Sequence, residues 1–326
     1  MNDIILTASN LKKTFPIHGG IFYRKIARVN ALNGVSFSLK RGRTLGVVGE
    51  SGCGKSTLGK TLLRLYEPDS GGAVFEGRDV FSLKPDALLK LRQDMQMIFQ
   101  DPYASLNPRM TVGSIIGEPL NIHRIGTRED RKKKVEAILA IVGMRKEALS
   151  RYPHEFSGGQ RQRIGIARAL ALRPKLIIAD EPVSALDVSI QSQIINLMIE
   201  LQREFGITYI FIAHNLAVVE YVSDEVAVMY LGHIVEIAEK RALFNRPSHP
   251  YTLSLLSAIP VPEPDLKNSR ERIILKGDVP SPIHPPSGCP FHPRCFKATE
   301  ECRHAMPVLD DVAGDGALHK VACFNR

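Results

Sequence analysis

The stretch Gly49-Glu50-Ser51-Gly52-Cys53-Gly54-Lys55-Ser56-Thr57 admits very few backbones. It follows the apolar run Leu45-Gly46-Val47-Val48 and precedes a segment that reads as helix, so it predicts a strand, a tight turn and a helix in succession. Gly49 and Gly54 let the chain curl until the N–H groups of Glu50, Ser51, Gly52 and Cys53 turn toward an anion. Lys55 adds a point charge for β- and γ-phosphates, Ser56 brings a hydroxyl for Mg²⁺, and Thr57 closes the pattern. The helix opening near Lys55 aims its positive end at the same place. An ordinary glycine-rich turn is the competing explanation, and the flanking strand and helix speak against it.

Composition matters for what surrounds this unit. At 326 residues, 44% apolar and 24% charged, the chain has room for two packed domains. No apolar run approaches the roughly 18 residues of a membrane helix, and Met1 to Leu6 lacks the basic start of an export signal, so a cytoplasmic protein is expected. A net charge of +9 allows a nucleic-acid partner. With no Trp, 6% aromatics and basic residues spread along the chain, there is no stacking platform for bases, and none is expected.

Residues 4–15 and 32–48 read as strands, the latter from the alternation Val35 to Leu39 and the apolar run at Leu45. Between them His18–Arg28 reads as a basic loop or insertion. Of its neighbouring aromatics Phe15, Phe22 and Tyr23, Phe15 is the preferred candidate to stack on an adenine ring. From about 93 to 171 the period becomes helical. Thr127 to Asp130 resembles a capping box opening a helix with Val135, Ile138, Leu139 and Val142 on one face, which stops at Gly143. Arg131 to Lys134 is then that helix's solvated side. Before it, Met97-Ile98-Phe99 ends in Gln100, placed either to reach a metal-bound water or to make a turn.

Ser157-Gly158-Gly159-Gln160 is a second anion-binding signal, with Ser157 as N-cap of a helix running to the break at Pro174. It has no Lys beside a hydroxyl, so the chain carries two unequal phosphate sites. Leu176 to Ala179 is a buried strand that ends in Asp180-Glu181-Pro182. Carboxylates at the end of such a strand fit a triphosphate's needs: Asp180 to hold Mg²⁺ through water, Glu181 to deprotonate the attacking water. Ser184 to Asp187 links tightly into a helix with Ile190, Ile194, Leu197 and Leu201 in register. Thr208 to Ala213 is another buried strand, ending at His214. In a doubly wound sheet such strand ends share a crevice, which gives His214 a role as donor to the γ-phosphate.

In this order these motifs resemble the ATP-binding cassette of ABC transporters, over roughly residues 4–240. The resemblance implies an α/β, P-loop (RecA-like) ABC ATPase core over 1–92 and 172–245, with an inserted helical subdomain over 93–171 that carries the signature. It also implies two cassettes closing head to tail on ATP, each signature completing the other's phosphate loop, with Gln100 in the groove facing the membrane subunits. Phe156, where that family usually has Leu, is a conservative departure.

Residues 246–326 narrow the subfamily. His249-Pro250-Tyr251-Thr252, the helical stretch toward Pro260, and Gly277-Asp278-Val279-Pro280 leading to Gly288-Cys289-Pro290 resemble the C-terminal extension of dipeptide and oligopeptide importer ATPases. The prolines from Pro280 to Pro293 forbid regular structure, so something else must hold these loops. Four of the five cysteines lie here, at Cys289, Cys295, Cys302 and Cys323. Disulfides do not suit a cytosolic chain, and four thiolates on a metal would staple the loops. Spacing alone leaves zinc and iron–sulfur both open; the resemblance implies a [4Fe–4S] cluster and so a loop-rich, metal-stapled extension.

The expected function is ATP hydrolysis driving import of dipeptides or oligopeptides, by a peripheral subunit on the cytoplasmic face of the inner membrane. The resemblance implies as partners a second, related but different ATPase chain, two transmembrane permeases and, indirectly, an extracytoplasmic peptide-binding protein. An importer ATPase for nickel or another small solute, which usually lacks the full cysteine tail, is the nearest alternative. A soluble nucleic-acid-linked ABC ATPase is a second, and it would usually show two cassettes or a long coiled-coil insertion.

Overall fold

The computed structural model describes residues 3–19, 24–259, 272–312 and 318–326. In chain order these form β1 (Ile4–Gly19), β2 (Arg24–Lys40), β3 (Thr44–Val48), α1 (Lys55–Leu62), β4 (Ser70–Phe75), β5 (Arg78–Asp79), α2 (Pro85–Asp94) and β6 (Met95–Ile98). Then come α3 (Val112–Ile122), α4 (Arg128–Ile141), α5 (Gly158–Leu170), β7 (Leu176–Asp180), α6 (Val188–Phe205), β8 (Thr208–Ile212) and α7 (Leu216–Val222). The remainder is β9 (Glu225–Tyr230), β10 (His233–Glu239), α8 (Lys240–Asn245), α9 (Pro250–Ser257), α10 (Glu300–His304), β11 (Asp310–Asp311) and β12 (His319–Val321). The chain divides into two units, one drawn from Met1–Leu39, Thr44–Phe81 and Ala213–Arg326, the other from Lys40–Arg43 and Ser82–Ile212.

In the first unit, one sheet runs β2-β1-β4-β5. β1 lies antiparallel to β4, from Leu6 opposite Phe75 to Lys12 opposite Ser70. The inner half of this ribbon is apolar, with Ile5, Leu6, Ala8, Leu11, Leu32, Val35, Phe37 and Leu39 buried. Its outer half covers no core, and this corrects the expectation of a loop over His18–Arg28: β1 continues to Gly19 and β2 starts at Arg24. With no core to face, those residues carry no apolar alternation, while the backbone ladder needs none. Phe22 and Tyr23 lie outside the described residues.

The first unit also sets β3 parallel to β9, from Leu45 opposite Glu225 to Val48 opposite Val228. β9 returns antiparallel into β10, and β12 and β11 follow antiparallel. Every residue of β3 and β9 is buried, which explains why Leu45 to Val48 reads as an unbroken apolar run.

The second unit is built on β6, β7 and β8 in parallel, Met95 opposite Leu176 and Leu176 opposite Thr208. α4 begins at a reciprocal cap. Thr127 N donates to Asp130 Oδ2 (2.9 Å) and Asp130 N to Thr127 Oγ1 (3.2 Å). It buries Val135 and Leu139 and ends where Gly143 turns left-handed at φ 73°. α6 buries Ile194, Leu197 and Leu201 along one stripe. Among the described residues no helix is long and apolar enough to cross a membrane.

Candidate functional site

The phosphate loop sits between β3 and α1, pressed against neighbouring backbone. A Cβ on Gly49 would stand 2.2 Å from Met229 O on β9, and one on Gly54 2.2 Å from Ala31 O on β2. Both glycines hold positive φ, 150° and 105°, so no side chain fits either place. Lys55, 4% exposed, folds back over the loop. Its Nζ donates to Gly49 O (2.7 Å) and Glu50 O (3.0 Å) and lies 3.7 Å from Cys53 Sγ. Burial pushes the Cys53 thiol up, against the pull of that ammonium. The N-cap of α1 is Gly54, which offers no side-chain acceptor. First-turn N–H groups without a cap, beside a buried ammonium in a glycine cradle, are a fit for phosphate oxygens.

Glu50 is held at three points. Its N–H, expected to turn toward an anion, instead donates to Tyr251 Oη (2.9 Å), its carbonyl accepts from Lys55, and its carboxylate takes a fork from Arg294, Nη1 to Oε2 at 2.7 Å and Nη2 to Oε1 at 3.2 Å. Neither Tyr251 nor Arg294 carried a local signal of this role, since each lies about two hundred residues or more along the chain from Glu50. Tyr66 was likewise unforeseen: it meets Phe15 edge-on with ring centres 5.1 Å apart, and Lys13 Nζ lies 5.2 Å from the Phe15 ring. His214 is exposed just after β8, before the Asn215 cap of α7.

In the second unit, β7 ends in the buried Asp180, and Glu181 follows at φ 45°. A left-handed non-glycine residue costs about 1–3 kcal/mol and persists only where its surroundings insist on it. Glu181 N donates to Ile212 O (2.9 Å), while Ser184 N and Oγ donate to Glu181 O. Gln100, just past β6, donates Nε2 to Glu181 Oε2 at 3.1 Å. The structure thus joins two side chains 81 positions apart that the sequence had assigned to one reaction. Asp187 occupies the N-cap position of α6.

Ser157 caps α5 in a closed box, Ser157 N donating to Gln160 Oε1 (3.0 Å) and Gln160 N to Ser157 Oγ (3.4 Å). Gly158 and Gly159 form its first positions. A Cβ on Gly159 would meet Ile190 Cγ2 at 2.4 Å, so close packing against α6 alone requires glycine there.

The C-terminal loops follow the prolines: apart from a single 3₁₀ turn at His292–Arg294 and α10, residues 272–304 hold no regular element. All five cysteines are free thiols. Burial first, and neighbouring thiols after it, push Cys289 up to about 11 and raise Cys295 and Cys323. Cys295 Sγ accepts from Lys297 N (3.4 Å), and Cys302 Sγ from Asn325 Nδ2 (3.5 Å). Yet among the described residues no group of three or more His, Cys, Asp or Glu side chains is close enough to hold a metal ion.

Residues 32–184 match the ABC transporter family, and residues 235–302 match the oligopeptide/dipeptide transporter C-terminal region. Among solved structures, the ATP-binding cassette MJ0796, in a dimeric post-hydrolysis state bound to ADP and Pi, superposes with a TM-score of 0.64. The match is at 28% identity over 72% of this chain and 99% of that one. The mixed α/β frame, bearing a glycine cradle with its lysine and a carboxylate-ended strand, therefore defines an ABC-type ATPase. Full-length relatives refine this. The oligopeptide transport ATP-binding protein AppF of Bacillus subtilis is 56% identical over 98% of this chain and 97% of its own. The dipeptide transport ATP-binding protein DppF of Haemophilus influenzae is 51% identical over 99% and 97%. The chain belongs to the oligopeptide and dipeptide transport ATP-binding proteins, as its motifs led us to expect.

Proposed function

We propose that this chain hydrolyses ATP to power import of dipeptides and oligopeptides through a membrane ABC transporter. The observation that carries the reading is identity above one half with peptide-transport ATP-binding proteins along nearly the whole chain, C-terminal region included. Lys55 and the loop from Gly49 to Thr57 hold the β- and γ-phosphates, and Phe15 stacks on the adenine. Ser56, Asp180 and Gln100 would hold Mg²⁺ directly or through water, and the ion would supply neutralisation of charge on the phosphate oxygens. Glu181 takes the proton of the attacking water as its oxygen bonds to the γ-phosphorus and the β–γ bridge breaks, and His214 donates to the γ-phosphate. The Gln100–Glu181 hydrogen bond supports this assignment, because it holds the base's carboxylate in one direction.

On this reading residues 1–92 and 172–245 form the nucleotide-binding core, 93–171 a helical subdomain, and 246–326 the importer extension. Ser157 to Gln160 serve the phosphate loop of a second, related ATPase chain, and Asp187 contributes to nucleotide binding. Two permeases in the inner membrane, fed by a peptide-binding protein outside, complete the assembly. The likeness of the extension to the peptide-transporter C-terminal region is what supports a [4Fe–4S] cluster on Cys289, Cys295, Cys302 and Cys323. A cluster's own irons and sulfides fill its centre, so its thiolates stand further apart than those round a single zinc.

Glu181→Gln keeps ATP binding and closure of the two cassettes but lowers turnover by about 10²-fold or more. Turnover at wild-type rate in that variant removes Glu181 as base. Peptide uptake in cells carrying the variant, set against nickel uptake, tests the cargo. Anaerobically purified protein shows visible absorbance that Cys295→Ser loses; colourless protein carrying zinc overturns the cluster.

A further inference from the structure

The phosphate loop contains a carboxylate of its own, and a negative side chain is an unfavourable neighbour for a triphosphate. Like charges a few ångströms apart repel by about 1 kcal/mol even in water and by more beside a partly buried surface. Glu50 is partly covered, its side chain 28% exposed, so solvent screens it only in part. What answers it is Arg294, 9% exposed, whose two terminal nitrogens grip both carboxylate oxygens. That fork is the geometry in which a guanidinium pairs most strongly and in which a lysine is a poor substitute.

Arg294 is itself held in place. It ends the short 3₁₀ turn that begins just after Phe291, and Phe291 is 1% exposed. The Phe291 ring packs on Tyr230 at 5.2 Å, on Tyr251 at 5.3 Å and on His249 at 5.6 Å. Tyr251, fully buried, spends its hydroxyl on the Glu50 N–H. His249 caps α9 by accepting from Tyr251 N at 3.0 Å, which fixes the direction in which that helix presents Tyr251. Both groups that grip Glu50 therefore come from one packed aromatic cluster. Tyr251 and Arg294 also lie in the stretch matched to the peptide-transporter C-terminal region.

We propose that Arg294, seconded by Tyr251, is a positioning residue for the ATPase reaction: it cancels the charge of Glu50 and fixes that residue, keeping the phosphate loop receptive to ATP. The extension thereby takes part in nucleotide binding instead of being a separate appendage. This rests on the reading of Gly49–Thr57 as the triphosphate site. A mere structural staple between loop and tail would hold the parts together without changing the charge that ATP meets, and the two roles separate in experiment.

The test titrates the full chain with ATP and Mg²⁺, and measures KM and kcat for ATP hydrolysis in the assembled transporter. Arg294→Gln raises Kd and KM for ATP about tenfold, more at low salt than at high, with kcat within about twofold. Adding Glu50→Gln to that variant brings Kd and KM back toward wild type, since no carboxylate is left to repel. Arg294→Lys, which keeps the charge and loses the fork, falls between. Should Arg294→Gln not fold, Glu50→Gln alone decides: with the guanidinium uncancelled, ATP binds at least as tightly as in wild type. An unchanged Kd in Arg294→Gln, a rise that salt does not alter, or a double variant as weak as the single one overturns the proposal. Lys55→Ala separates this from the reading beneath it. If that variant binds ATP normally, the loop is not the site; if it loses ATP while the Arg294 variants are silent, only the role of Arg294 fails.

Discussion

Helices α1 and α5 both open on glycine, yet they leave their first N–H groups in different states. At α1 the N-cap is Gly54, left-handed, with no side chain to accept, and a buried ammonium stands over the turn. At α5 a side-chain cap is in place, because Ser157 and Gln160 satisfy each other's N–H groups. α1 thus opens without a side-chain cap, whereas α5 opens on a reciprocal one. The contrast teaches that a glycine-rich helix start is not one kind of site. It also gives physical content to the view that the serine–glycine–glycine–glutamine turn acts on a phosphate held elsewhere, by a loop made for holding.

The largest effect that bears on this contrast belongs to Lys55→Ala, expected to cut hydrolysis at least about 100-fold and to weaken ATP binding, as followed by titration with a fluorescent nucleotide. Wild-type binding in that variant ends the claim that α1 is the holding site. Next comes Gly159→Ala. A methyl forced against Ile190 Cγ2 costs about 1–3 kcal/mol, read as a lower melting temperature, and Ile190→Ala in the same chain recovers part of it. If Gly159→Ala is stable but inactive, the glycine is there for a ligand and not for packing.

The smallest effect is the most discriminating. Ser157→Ala removes the cap and costs about 1 kcal/mol of stability, whereas Ser157→Asp keeps an acceptor and holds the melting temperature. Ser157→Asp nonetheless slows hydrolysis in the assembled transporter, because a carboxylate at that turn repels the incoming phosphate. Equal activity of Ser157→Asp and wild type means no phosphate comes to α5.

Much of this was readable in advance because its causes are local. The phosphate loop is written within nine consecutive residues, and the boxes at Thr127–Asp130 and Ser157–Gln160 each close over three positions. The buried strands β7 and β8 announce themselves as apolar runs because both of their faces are covered. The outer ribbon of β1 and β2 was misread for the converse reason: beyond the core, pairing leaves no apolar mark. Glu181 was foreseen as a carboxylate at the end of β7, but its left-handed backbone was not, since that depends on the Ile212 and Ser184 bonds.

The amino-acid sequence by itself therefore determined the chemistry of the ATPase and the ends of its helices, where each partner lies within a few residues of the next. Tertiary structure alone decided what grips Glu50. Tyr251 stands 201 positions away and Arg294 stands 244 away, and no short-range pattern marks either as a partner. Gly159 tells the same story, as its need arises only when Ile190 is brought against it. Such contacts are chosen by how packed surfaces meet after the chain has closed long loops, and that information is spread over the whole fold instead of residing in any one stretch.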